Sequence, residues 1–114
     1  MPQYMLLLYE KPDRMQGLSP DEMQKALEKY MAWTKQPCYK GGLRLGMDHG
    51  RVIRTDGGKP RVADGPFSET KEVLGGYYLI EAANYDEAVK LTLTHPHVEY
   101  NGNVEIRETW TPPM

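Results

Sequence analysis

Hydrophobic and polar positions along this chain change period several times, and each change marks an element. Tyr4–Glu10 is a nearly continuous apolar run, the pattern of a central strand buried on both faces. A loop over Lys11–Leu18 contains Pro12 and Gly17. Ser19-Pro20-Asp21-Glu22 then combines a capping serine, a proline at the first helical position and a glutamate three residues after the cap. Met23, Ala26, Leu27, Tyr30 and Thr34 follow at helical spacing, with Lys25, Glu28 and Lys29 opposite. The helix is expected over Pro20–Gln36, because Pro37 ends it, and Gly41-Gly42 re-aims the chain.

Leu43–Met47 reads as a weak strand. Arg51–Thr55 and Pro60–Ala63 flank Asp56-Gly57-Gly58-Lys59, a hairpin signal. Tyr77–Ala83 is a second buried-looking strand. Asn84-Tyr85-Asp86-Glu87 repeats the capping logic and opens a helix carrying Ala88, Val89, Leu91 and Thr92, which Pro96 stops near His95. His97–Gly102 reads as a loop and Val104–Trp110 as a half-exposed strand, Val104 and Ile106 on one side, Glu105 and Arg107 on the other. Thr111–Met114 is a proline-rich tail.

The order β-α-β(-β)-β-α-β predicts an α+β fold, a split βαβ sandwich with both helices on one face of an antiparallel sheet. Leu7, Tyr9, Tyr78 and Ile80 are expected to keep the other face apolar. A sheet covered on one face needs a second sheet against the other, so the pattern predicts a homodimer through the uncovered sheet face.

The chain has 114 residues and supports one domain, 1–114, with a small core. A net charge of −2 argues against nucleic acid, which calls for a basic face. No apolar run reaches the roughly 20 residues of a membrane helix. Met5–Leu8 lacks the order of a secretory leader, and Cys38 has no second cysteine to pair with. Both predict a cytoplasmic protein.

The most punctuated stretch is Asp64-Gly65-Pro66-Phe67-Ser68-Glu69-Thr70-Lys71-Glu72. Gly65 and Pro66 end a strand-like run, Phe67 offers one large apolar anchor, and Gly75-Gly76 allow close backbone approach. A charged loop of this kind suits ligand binding. Asp64 is the carboxylate best placed for acid–base work, its rival role being a turn cap. His95, seven residues after Ala88 and four after Leu91, is the candidate catalytic histidine. A histidine favoured by the helix C-terminal dipole is the simpler account. His97 reads as a surface loop residue and His49 as part of a turn. Tyr9, Phe67, Glu69, Lys71 and Tyr77 are the candidate ligand-binding residues, and Tyr30 and Tyr78 could line a pocket beside Tyr9 and Tyr77, set against a solvated charge cluster and core tyrosines. His95 and His97 lack a third ligand at metal-binding spacing, and no phosphate-binding or dinucleotide glycine pattern occurs, so no metal and no cofactor are expected. Cys38 beside Pro37 reads as a loop thiol without a nucleophile's setting.

The run DGPFSETKEVLGGYYLIEAANYDEA resembles the signature of the DGPF subgroup of the YCII-related family. The opening Tyr4–Tyr9 and the closing Gly102–Arg107 are similar to that family too, so the resemblance covers most of the chain. It implies a ferredoxin-like fold and a dimeric α+β barrel. It also implies a pocket between helix and sheet, lined in YCII-type proteins by a His–Asp pair, with Asp64 as the matching carboxylate. The histidine of that pair lies on the first helix in the catalytic branch, and Pro20–Gln36 contains none. The resemblance therefore leaves two readings. One is a small-molecule-binding dimer, or a weak isomerase, lyase or hydrolase, using a pocket near the DGPF loop. The other is a non-catalytic accessory protein associated with an extracytoplasmic-function sigma factor.

Overall fold

The computed structural model describes residues 1–11, 17–46, 48, 50–65 and 72–112. Strand β1, Gln3–Glu10, lies at the centre of a four-stranded antiparallel sheet, between β5 (Val73–Glu81) and β6 (Asn103–Glu108). Strand β2, Tyr39–Arg44, completes the order β2-β5-β1-β6. Helix α1 spans Pro20–Trp33, α2 spans Tyr85–Leu93, and a short α3 spans Pro96–Glu99. Both expected helix starts form. The Ser19 hydroxyl accepts from the Glu22 amide at 3.1 Å while the Ser19 amide donates to Glu22 Oε1 at 3.2 Å. The Asn84 carboxamide oxygen accepts from the Glu87 amide at 2.9 Å.

The register sorts the sheet's two faces. Tyr4, Leu6 and Leu8 stand opposite Ile80, Tyr78 and Gly76 of β5. Together with Trp33 of α1 and Ala88 of α2, buried Tyr4, Leu6, Leu8 and Ile80 form the core. Burying each such large side chain is worth about 1.5–3 kcal/mol. Val104 and Ile106 pair with Leu8 and Leu6 and so extend this face, as their alternation predicts. The opposite face carries Met5 against Leu79 and Leu7 against Tyr77. Tyr78 and Ile80, expected there, sit on the helix-covered face instead: a one-residue step in register moves a strand's whole set of side chains to the other side.

Other boundaries shift. Strand β2 begins at Tyr39 and ends at Arg44, earlier than Leu43–Met47, because Gly41 and Gly42 pair with Leu79 and Tyr78 inside the strand, after a bulge at Lys40. Trp33, absent from the expected inner face of α1, is one of its two buried residues, seven positions after buried Ala26. His97 lies in α3 rather than in a loop and is only 2% exposed.

The hairpin forms as expected, β3 (Arg51–Asp56) pairing with β4 (Lys59–Asp64). Gly57 and Gly58 both take positive φ, 57° and 81°, as a tight two-residue turn between twisted strands requires. It forms a separate two-stranded sheet, and its cross-strand pair Ile53–Val62 is largely exposed. Among the described residues no helix is long and apolar enough to cross a membrane.

Candidate functional site

A cavity of about 400 Å³ opens between α1 and the sheet. Helix α1 supplies Met23, Ala26, Leu27 and Tyr30 to one wall, and Leu8, Tyr39 and Tyr78 rise from the sheet. The space exists because the floor is glycine. A Cβ at Gly76 would lie 2.8 Å from the Leu43 carbonyl oxygen, so no larger residue fits between β5 and β2 there. Gly75 is the extra residue of a bulge, since Leu8 pairs with Gly76 and Tyr9 with Leu74. A side chain at Gly75 would collide with the Glu10 carboxylate, which also lines the cavity.

Two polar groups meet within this largely apolar wall. Tyr30 Oη lies 2.9 Å from His97 Nδ1, and His97 Nε2 lies 2.8 Å from the Tyr9 carbonyl oxygen. Three separate parts of the chain make this contact. Helix α1 presents Tyr30 one turn after Ala26. The His95-Pro96 step starts α3, with His95 as its cap and Pro96 at its first position, and aims His97 back at the end of β1. Gly102 leaves room for the ring, because a Cβ there would fall on the His97 imidazole.

His95 occupies a different environment. Its Nδ1 accepts from the His97 amide at 3.0 Å, so Nε2 carries the hydrogen. Among the described residues that Nε2 has no hydrogen-bond partner, and it is enclosed by aromatic rings, Tyr78 at 4.5 Å and Trp33 at 4.7 Å between centroids. Burial, with His97 alongside, lowers its pKa from 6.5 to about 4. The same surroundings push the Tyr78 hydroxyl up to about 12. His95 is thus a neutral cap, 1% exposed, behind the cavity rather than on its lining.

Other candidates scatter. Asp64 ends β4 with its side chain 84% exposed, 3.5 Å from the Arg51 guanidinium, outside the cavity lining. The expected cleft between Asp64 and α1 is therefore not its surroundings, because the hairpin carries it away from the main sheet. Tyr9 gives its carbonyl to His97 while its side chain, like that of Tyr77, belongs to the opposite sheet face. Phe67, Glu69, Lys71 and His49 lie outside the described residues. Cys38 is half-buried, and burial raises its thiol pKa, which disfavours the thiolate a nucleophile needs. Among the described residues no group of three or more potential ligands is arranged to hold a metal ion.

The fold and the cavity define a small α+β domain with a pocket between its first helix and its sheet. The YCII-related domain model matches residues 2–111, and the chain belongs to that family. It is also 54% identical over 38 residues to an uncharacterized protein of Rhizobium meliloti (strain 1021). That similarity covers 33% of this chain and 31% of the relative.

Proposed function

We propose that the protein binds a small, mostly apolar molecule between α1 and the sheet, with its polar end held at Tyr30 and His97. The observation carrying this reading is a cavity of about 400 Å³ with a hydrogen-bonded Tyr–His pair in a mostly apolar wall, whose other polar members are Glu10, Lys11, Thr34 and Arg44. Drug-sized ligands occupy pockets of about 300–1,000 Å³ lined in this way. Any reaction in such a site would be a proton transfer, as an isomerase or lyase needs, since both groups exchange protons. Tyr30 and His97 take the part that the family resemblance assigns to a His–Asp pair. In a thermal-shift screen of small apolar alcohols and phenols, at least one compound should raise Tm by several degrees. Ala26→Phe, which fills the cavity from α1, should abolish that rise. Shifts that persist undiminished in Ala26→Phe would locate binding elsewhere.

The strand order β2-β5-β1-β6 supports the ferredoxin-like reading, and the run Asp64–Glu72 supports membership of the DGPF subgroup. Two such sheets, packed through Met5, Leu7, Tyr77 and Leu79, would make the dimeric barrel. The described helices pack on the other face, which leaves the face of Met5, Leu7, Tyr77 and Leu79 without a helix against it among the described residues. Light scattering at micromolar concentration should return twice the chain mass, and Leu7→Glu should return the monomer mass. A wild-type monomer would sink the dimer. The lone cysteine fits a reducing cytoplasm.

A further inference from the structure

The hydrogen positions around His97 follow from its partners, and they set what the cavity can recognise. The Tyr9 carbonyl only accepts, so the His97 Nε2 that lies 2.8 Å away carries the ring's hydrogen. In the neutral imidazole Nδ1 is then a bare acceptor, and the Tyr30 hydroxyl 2.9 Å away donates to it. Tyr30 has one hydrogen, and it is committed. Whatever else reaches Tyr30 Oη must bring a hydrogen of its own.

This polarity is held in place sterically. His97 is 2% exposed, and turning its ring over would set a carbon against the Tyr9 carbonyl. The absent Cβ of Gly102 leaves room for the ring in this position. Tyr30 packs edge-on against both His95 at 5.5 Å and His97 at 6.2 Å between ring centroids, so its hydroxyl cannot swing away without giving up both contacts.

We infer that the Tyr30–His97 pair selects ligands whose polar end donates a hydrogen bond, a phenol, an enol or an alcohol, over ketones and ethers of the same shape. The inference rests on the cavity being the binding site and adds the sign of its recognition. An ether oxygen facing Tyr30 Oη would set two acceptors against each other in a largely apolar wall, and an unmade hydrogen bond there costs far more than it does in water.

The test uses 2-naphthol and its methyl ether, 2-methoxynaphthalene, titrated into the whole chain and followed by NMR. The two probes share one shape and differ in the donor. Wild type should bind 2-naphthol about tenfold more tightly than the ether, the ratio one hydrogen bond supplies. Equal affinity of the wild type for the two probes would overturn the inference and leave the cavity reading standing. Binding of neither probe would overturn both. Independently of any ligand, ¹⁵N shifts of His97 at neutral pH should report a protonated Nε2 and a bare Nδ1. A ring protonated on both nitrogens, or on Nδ1 alone, would reverse the polarity and end the proposal.

Discussion

Lowering the pH from 6.5 to 4 should remove roughly 3 kcal/mol of folding stability through His95 alone. The sign follows from where the proton prefers to sit. In the unfolded chain the imidazole titrates near 6.5, and in the folded protein near 4, because the aromatic enclosure desolvates the charged form. The stability is therefore present in full above pH 6.5. It is lost as the pH falls through the interval in which the unfolded chain takes up the proton and the folded one resists, and the loss levels off below about 4. Among the described residues the rings facing His95 are Tyr30 and Trp33 from α1, Tyr78 from β5 and His97 from α3, and none of the four is an anion that would welcome the charge. Urea unfolding across this pH range tests it against His95→Asn. Asparagine caps helices as well as any residue and does not titrate. The variant should lose most of the wild-type slope between pH 6.5 and 4, whatever its absolute stability. Equal slopes would mean that His95 charges in the fold as readily as in the open chain.

Trp33→Ala should destabilise the fold by about 3–5 kcal/mol, the range for truncating a buried tryptophan. Trp33 is 5% exposed at the end of α1 and packs against Tyr78 and His95. Its indole Nε1–H donates to Thr94 Oγ1 at 3.0 Å, tying α1 to the end of α2. Truncation opens a void between the two helices and the sheet and removes the hydrogen bond to Thr94. Trp33→Phe separates the two effects, since it keeps most of the packing and removes only the donor. It should cost about 1–2 kcal/mol, within the usual span for one lost hydrogen bond plus a small volume change. Chemical denaturation measures both. A Trp33→Ala cost below about 1 kcal/mol would show that the helices do not depend on this contact.

The contrast between α1 and the His95–Gly102 segment explains which parts of the molecule could be read from the chain. Helix α1 begins where Ser19, Pro20 and Glu22 say it must, because capping is a matter of neighbours three residues apart. The Asp56–Lys59 turn and the buried run Tyr4–Leu8 are local in the same sense. At Pro96 the same local reasoning was only half sufficient. Proline ends α2, since it cannot continue a helix, but it also starts α3, since its missing N–H costs nothing at a first helical position. The motif Thr94-His95-Pro96-His97, a capping residue followed by proline, held the signal for α3 and so for a buried His97.

Sequence alone therefore determined the α+β class, the order of elements apart from α3, both capped helices, the hairpin and the apolar centre of the sheet. Each rests on contacts within a few residues or on a period of two or 3.6. Tertiary structure decided which face of β5 is covered, because Tyr77 and Tyr78 are indistinguishable until Leu7 and Leu6 choose their partners. It also decided the site. Tyr30 and His97 are 67 residues apart, and the third member is a backbone carbonyl on β1, which no residue type announces. Asp64, the carboxylate most visible in the sequence, was carried outward on its hairpin, while the least conspicuous histidine was folded against the cavity. Periodicity reports how a segment meets its own neighbours, and a site assembled from three distant segments depends on how those segments pack.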